Sequence, residues 1–117
     1  MQKIYRLTLN GSFKYIYRNG ANISSKLLIF YKVPAHNLKV GITVGKKVGN
    51  SVTRSLVKRR ISESFRLLIP RISTKYNYVI VAKALCANAG YDEINADLIS
   101  LLEKGGVLEI NKDEKGV

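Results

Sequence analysis

The residues with the clearest potential for chemistry are the cations between positions 46 and 60. Six of these fifteen residues are basic, namely Lys46, Lys47, Arg54, Lys58, Arg59 and Arg60. Clustered Lys and Arg side chains bind phosphate groups, and a glycine-containing loop that leads into a helix adds backbone N–H groups that favour anions. A solvated basic face is the plainer interpretation. Because no acidic residue precedes Glu63, these charges have no other local partner, and a phosphate-binding surface is favoured.

The charge of the whole chain points to the same chemistry. Its 117 residues contain 20 Lys and Arg against 8 Asp and Glu, which gives a formal net charge of +12. Residues 1–62 hold thirteen basic residues and no acidic one, whereas residues 63–117 hold seven basic and eight acidic residues. A one-sided basic half repels itself, and a polyanion relieves that repulsion. Nucleic acid is therefore the first candidate partner, and an anionic membrane surface is the alternative.

The composition gives little support to other chemistries. A single cysteine, Cys86, and a single histidine, His36, exclude a disulfide framework, a cysteine-built zinc site and most His-based chemistry. We expect Cys86 to be a small buried hydrophobe and His36 to be exposed in a turn. We expect Asp92, Glu93 and Asp97 to be helix-cap and surface charges, because catalytic carboxylates need partly buried sites. The sequence thus predicts a protein partner of RNA with no catalytic and no metal-binding residues of its own.

Three aromatic residues, Phe13, Tyr17 and Tyr31, are open to two interpretations. They can pack in the core, or they can form a surface on which single-stranded bases stack. The pattern alone favours the core, because Phe13, Ile16 and Tyr17 form one apolar stripe at helical spacing.

Periodicity and turn residues predict the elements that position these side chains. We predict helices over 10–18, 52–68 and 91–102, and strands over 26–33, 38–44 and 76–83. The first two strands are expected to pair as a hairpin, and the third, apolar on both faces, is expected to be central. Asn50 or Ser51 is expected to cap the second helix. The order αββαβα predicts an α+β fold, a two-layer sandwich of helices on a small mixed sheet.

The length of the chain is that of one domain. We expect a single RNA-binding domain over residues 1–106 and a flexible C-terminal tail over 107–117. The longest apolar runs are about five residues, far short of the roughly 20 that span a bilayer, and no signal peptide is evident. The chain is therefore expected to be soluble and cytoplasmic.

Four segments together resemble the protein subunit of bacterial ribonuclease P. Residues 40–54 read VGITVGKKVGNSVTR and are followed by Lys58 and Arg59, which is similar to the signature of that family. Residues 13–20, FKYIYRNG, resemble its first helix, and residues 78–83, YVIVAK, resemble its central strand. Arg6-Leu7 resembles its N-terminal Arg-Leu pair. The resemblance extends over about residues 3–103, in order and at the family's spacing.

The resemblance implies a fold, an activity and partners. The family fold is αββαβα with a left-handed βαβ crossover, against the usual right-handed sense. The family activity is endonucleolytic hydrolysis that removes the 5′ leader from precursor tRNA, with the chemistry carried by a catalytic RNA subunit and by Mg²⁺ bound mainly to that RNA. The implied complex contains one monomeric protein per RNA subunit. The alternative function is a non-catalytic RNA-binding module of another ribonucleoprotein, such as a ribosomal or assembly protein.

The resemblance also assigns roles to individual residues. Those expected to face the RNA subunit are Lys46, Lys47, Asn50, Arg54, Lys58 and Arg59, with Arg60 as an additional cation. Those expected to line a cleft for the 5′ leader are Phe13, Tyr17, Tyr31 and Lys83. The chain departs from the family helix at Ser55, Leu56 and Ser62, which replace an Asn and two Arg residues. The loss of two arginines is expected to weaken RNA binding and to reduce its salt dependence.

Overall fold

The computed structural model describes residues 10–108, which form one four-stranded sheet and three α-helices. The helices are α1 (Asn10–Asn19), α2 (Ser51–Leu68) and α3 (Tyr91–Lys104). The strands are β1 (Ala21–Ser24), β2 (Leu28–Pro34), β3 (Lys39–Val44) and β4 (Tyr76–Ala82). Short 3-10 turns cover Lys46–Val48, Ile69–Arg71 and Ala84–Asn88. The six predicted elements and the α+β class are confirmed, while Arg6-Leu7 lies outside the described residues.

Strand β4 lies in the middle of the sheet, whose order is β1-β2-β4-β3. It pairs antiparallel with β2 and parallel with β3. The predicted central position is confirmed, but the predicted hairpin of β2 with β3 is wrong. Tyr78, Val79 and Ile80 of β4 are fully buried, so this strand supplies apolar side chains to both faces of the sheet. Between two partners its backbone groups are paired on both sides, whereas a β2–β3 hairpin would leave β4 at an edge.

Strands β3 and β4 and the intervening helix α2 form a βαβ unit. The parallel register pairs Val40 with Tyr78 and Val44 with Ala82. Parallel strands require such a crossover connection. The left-handed sense that the family resemblance implies for this crossover stays a prediction.

Strand β1 is an element that the sequence did not predict. It pairs antiparallel with β2, and of its four residues only Ile23 is partly buried. Four residues that are mostly exposed carry too little alternation of apolar and polar side chains to indicate a strand.

The two faces of the sheet carry separate apolar clusters. The cross-strand pair Phe30 and Ile80 belongs to the main core, which α2 and α3 cover. On the opposite face, Ile16 of α1 packs with Val33 and Val79. Helix α1 therefore adds a layer to the predicted two-layer arrangement, and the side chains around this small buried cluster, Phe13, Tyr31 and Val81, are half-buried.

The buried stripes of α2 and α3 agree with the prediction. They are Val57, Ile61, Phe65 and Leu68 in α2, and Ile94, Leu98, Leu101 and Leu102 in α3. Between the helices, the buried Ser64 hydroxyl donates to Asn95 Oδ1 at 2.5 Å. With its apolar stripe facing inward, α2 turns its basic positions toward the surface. No helix among residues 10–108 has the length and apolar character needed to cross a bilayer.

Gly20 joins α1 to β1 where only a hydrogen fits. A Cβ at this position would lie 2.6 Å from the Ile16 carbonyl oxygen and 2.9 Å from that of Lys32. We therefore expect Gly20→Ala to lower the free energy of unfolding by about 1–3 kcal/mol, as overpacking does. The measurement is urea denaturation followed by circular dichroism. Gly45→Ala is the matched control, because no atom lies within 4 Å of its Cβ position; equal midpoints for the two variants would contradict the steric argument.

The C-terminal boundary of the domain lies further along the chain than predicted. Val107 is 1% exposed, and Leu108 forms a β-bridge with Ile72. Gly106 has a φ of +71°, a conformation that suits glycine and that follows directly on the end of α3. The first two residues of the tail predicted over 107–117 therefore belong to the fold, and the remainder lies outside the described residues.

Candidate nucleic-acid interface

The N-terminus of α2 is fixed by Asn50. Its side-chain Oδ1 accepts a hydrogen bond from the Thr53 N–H at 2.9 Å, which confirms the predicted cap. This bond uses one end of the amide. The NH₂ group is the part of Asn50 that is left to reach a ligand.

The loop before α2 displays two exposed lysines next to a buried valine. Lys46 and Lys47 are exposed in a 3-10 turn, while Val48 of the same turn is buried. Gly49 follows with a φ of +153°, and its carbonyl oxygen accepts a hydrogen bond from Arg54 Nε at 3.2 Å. The buried Val48 anchors this turn, so the two lysines lie on the surface just before the first turn of α2.

Arg54 and Lys58 lie one turn apart on the flank of α2 that faces the edge strand β3. Together with parts of β3 they line an open depression of about 400 Å³. We call this depression the basic groove; its lining is Ile42, Thr43, Val44, Ser51, Arg54, Ser55 and Lys58. Arg54 is half-buried and Lys58 is exposed. The structure thus brings these two predicted cations into one site.

Arg59 and Arg60 leave the helix in different directions. Arg59 is exposed on the outer surface of α2, as an RNA contact requires. Arg60 is half-buried, and its Nη1 donates to the Ala89 carbonyl oxygen at 2.7 Å, in the segment just before α3. The structure therefore gives Arg60 a tethering contact and does not place it in the basic groove, unlike the prediction that grouped it with the other cations.

The outer surface of α2 is partly apolar where the family pattern has an arginine. A second depression, of about 360 Å³, is lined by Ser51, Val52, Ser55, Leu56 and Arg59. Leu56 is 38% exposed and Val52 is 76% exposed. The replacement at Leu56 therefore affects the surface beside Arg59 and not the core.

Glu63, the one acidic residue near the basic segment, is already paired. Its carboxylate accepts hydrogen bonds from Arg66, with a distance of 3.1 Å between Arg66 Nε and Glu63 Oε2. This hydrogen bond lowers the pKa of the Glu63 carboxyl below its ordinary value. Glu63 is therefore engaged one turn further along the helix, away from Arg54 and Lys58.

The three predicted aromatics meet at the surface beside α1. The Tyr17 and Tyr31 ring centroids are 5.0 Å apart at an interplanar angle of 78°, and those of Phe13 and Tyr17 are 6.4 Å apart. Tyr17 is 40% exposed, while Phe13 and Tyr31 are half-buried against the cluster around Ile16. We call this group of three rings the aromatic cleft. It is neither wholly core nor wholly free, so each ring presents part of its surface to a ligand.

Lys83 is held at the end of β4 by its ammonium group, and its predicted place in the cleft for the 5′ leader stays a prediction. Its ammonium donates to the Ser25 carbonyl oxygen, and the Ser25 hydroxyl donates to the Asp97 carboxylate of α3. Lys83 thus ties the turn between β1 and β2 to the end of β4, and no ring contact links it to the aromatic cleft among the described residues. Asp97, predicted to be a surface charge, is half-buried by the same contacts.

Thr43 is a residue of this surface that sequence reasoning missed. Its Oγ1 lies 3.2 Å from the Tyr17 hydroxyl oxygen, and its side of β3 also lines the basic groove. No motif singles it out. Only the placement of β3 beside both α1 and α2 brings it into the site.

Cys86 and His36 take no part in this surface. Cys86 is buried as predicted, its Sγ donates to the Leu27 carbonyl oxygen at 3.1 Å, and burial raises the pKa of its thiol. His36 is exposed. Within residues 10–108, no three His, Cys, Asp or Glu side chains lie together in a way that could hold a metal ion.

Comparison with known proteins shows the family to which the chain belongs. The family model described as Ribonuclease P matches residues 1–106. The ribonuclease P protein component of Clostridium novyi is 42% identical over 111 residues, which cover 92% of this chain and 98% of that relative. The chain belongs to the ribonuclease P protein family. The family resemblance drawn from four sequence segments is therefore confirmed.

Solved structures of ribonuclease P proteins share the fold. The protein from Staphylococcus aureus aligns with a TM-score of 0.80 and 25% identity, covering 90% of this chain and 98% of that chain. The protein from Thermotoga maritima aligns with a TM-score of 0.77 and 21% identity, covering 85% and 96%. Family membership supports the predicted function, that of a ribonuclease P protein component in tRNA processing, over a module of another ribonucleoprotein.

Proposed function

We propose that the chain binds the catalytic RNA subunit of ribonuclease P and the 5′ leader of precursor tRNA, and so assists removal of the leader. The observation that carries this proposal is the meeting of the aromatic cleft and the basic groove at Thr43 of strand β3. A single strand is held by stacking of its bases on aromatic rings and by cations along its phosphates. Both kinds of group adjoin here.

The exposed cations around the start of α2 are proposed to face the RNA subunit. Lys46, Lys47, Lys58 and Arg59 are exposed, and the NH₂ group of Asn50 lies among them in sequence. They neutralise phosphates and release condensed counterions, which lowers the repulsion between RNA subunit and precursor. Arg54, which is half-buried and lines the basic groove, is proposed to contact the phosphates of a strand that leaves the aromatic cleft.

The reaction is the hydrolysis of one phosphodiester bond, and we propose that the RNA subunit carries its chemistry. Mg²⁺ bound mainly by that RNA supplies charge stabilisation at the reacting phosphate. This chain contributes binding and positioning of the leader. We expect one monomeric protein per RNA subunit, acting in the cytoplasm.

The test of the whole proposal is an assay of precursor-tRNA cleavage with three arms. They contain the protein alone, the RNA subunit alone, and both together at low Mg²⁺ concentration. A binding module of another ribonucleoprotein would give no stimulation in the third arm, and a stand-alone nuclease would be active in the first.

We expect binding of the RNA subunit to depend steeply on salt, and single Arg→Ala changes to reduce that dependence. Arg54→Ala and Arg59→Ala should each lower the affinity and flatten the log–log salt slope by up to about one unit, because each removes one phosphate contact. The measurement is a binding titration across a series of salt concentrations.

Arg60→Ala is the matched control for this series. It removes the same charge from the same helix, but Arg60 lines neither of the two depressions on α2, and its guanidinium is bound to the Ala89 carbonyl oxygen before α3. We expect it to lower the unfolding midpoint and to leave the salt slope near that of the unmodified protein. Unchanged slopes in both Arg54→Ala and Arg59→Ala would mean that α2 faces something other than phosphate.

A further inference from the structure

The hydrogen bond between Tyr17 and Thr43 joins two elements that are distant in the chain. The residues are 26 positions apart, and the bond is exposed. Helix α1 is otherwise anchored through Ile16, which packs on Val33 and Val79. Ile16 fixes where the helix lies but not where the neighbouring ring points, since the Tyr17 side chain is 40% exposed.

The bond holds the hydroxyl end of the central ring of the aromatic cleft, whose other contacts are with neighbouring rings. Tyr17 contacts Phe13 on one side and Tyr31 on the other, and it meets Tyr31 edge-on at 78°. An exposed tyrosine loses rotamer freedom only where a contact holds it. The hydroxyl of Thr43, on a strand of the sheet, supplies that contact at the far end of the ring.

Thr43 also lies next to the cations. It lines the basic groove together with Arg54 and Lys58, and β3 is an edge strand with no further strand beyond it in the described sheet. The position of the Tyr17 ring is therefore coupled through one hydroxyl to the strand that borders the phosphate-binding side chains.

We infer that Thr43 is a positioning residue for leader recognition. Its hydroxyl holds the Tyr17 ring in the orientation that a leader base stacks on, and it keeps that ring in register with the basic groove. The inference rests on the proposed function. Thr43 itself touches no reacting atom, and it acts on leader binding through Tyr17.

The experiment separates the hydroxyl from the ring. Thr43→Val keeps the shape and the β-branching but removes the hydroxyl, Thr43→Ser keeps the hydroxyl, and Tyr17→Phe keeps the ring but removes the bond. The readout is leader selectivity, which is the ratio of holoenzyme affinities for tRNA with and without a 5′ leader. Thr43→Val and Tyr17→Phe should each reduce this ratio about 2- to 10-fold, the value of one hydrogen bond.

Three further results are expected if the hydroxyl pair acts as a unit. The double variant should lose no more selectivity than either single variant. Thr43→Ser should retain the selectivity of the unmodified protein. Tyr15→Phe and Thr74→Val make the same chemical changes at exposed positions outside the cleft, and both should leave the ratio unchanged.

The outcomes distinguish the inference from the proposed function. If the unmodified holoenzyme shows no leader selectivity, the proposed function fails and the inference fails with it. If the unmodified holoenzyme prefers leader-bearing tRNA, Tyr17→Ala abolishes that preference and Thr43→Val leaves it unchanged, then only the inference about Thr43 is overturned. Additive losses in the double variant, or equal losses on both substrates with a lower unfolding midpoint, also overturn it.

Discussion

Purified protein that has been freed of RNA is expected to leave precursor tRNA uncut, and addition of the RNA subunit is expected to produce cleavage at one site at low Mg²⁺ concentration. This is the largest effect that we predict, because it separates activity from no activity. The measurement is product formation over time on labelled precursor tRNA.

The structure gives a physical reason for this expectation. Acid–base or metal chemistry needs carboxylates that are close together and free to act. Within residues 10–108, Glu63 is bound by Arg66, Asp97 accepts from Ser25, Glu93 accepts from the Gly90 N–H at 3.3 Å, and Asp92 and Glu103 are exposed. Metal-dependent, site-specific cleavage by RNA-free protein would contradict the prediction and favour a stand-alone nuclease.

Replacing Tyr31 by alanine is expected to weaken binding of leader-bearing tRNA to the holoenzyme by roughly 5- to 150-fold, which corresponds to a stacking loss of about 1–3 kcal/mol. Binding of leaderless tRNA should stay the same, because no base then occupies the aromatic cleft. Phe13 and Tyr31 are both half-buried against the cluster around Ile16, and Tyr31 is the better probe because its hydroxyl end tolerates water, so its truncation should disturb folding less.

Tyr15→Ala is the control for this prediction. Tyr15 is also on α1 and is 57% exposed, but it lies on the side of the helix away from Tyr17. It should affect neither substrate, and circular dichroism should show that both variants fold. Equal losses on both tRNAs in Tyr31→Ala would assign the aromatic rings to the core and leave α2 as the only supported RNA surface.

The local features of the fold could be predicted from sequence because each depends on neighbouring residues. The apolar stripe of α2 follows from 3.6-residue periodicity, and the Asn50 cap follows from the free N–H groups of a first helical turn. The central position of β4 follows from its apolar character on both faces. In each case the signal lies within one segment.

Apart from β1, whose four residues carry too weak a local pattern, the features that were not predicted depend on contacts between distant segments. Nothing within residues 26–44 indicates that β4 separates β2 from β3. The pairing depends on β4 itself, whose side chains are apolar on both faces and are buried when the strand lies inside the sheet. Likewise, Arg60 resembles its basic neighbours in sequence, and its contact with Ala89 exists only because α2 packs beside the segment leading into α3. Thr43 joins the site for the same reason, because its contact with Tyr17 links residues 26 positions apart.

The position of β4 also sets the order in which the nascent chain can fold. Strands β2 and β3 are synthesised before β4, but they are not paired with each other in the sheet, so both remain without their shared partner until residues 76–82 have left the ribosome. By then the thirteen cations of residues 1–62 have already emerged. A chain arrested before β4 is thus a polycation in which β3 has no partner strand and β2 has one open edge, and we expect it to bind RNA without selectivity and to aggregate.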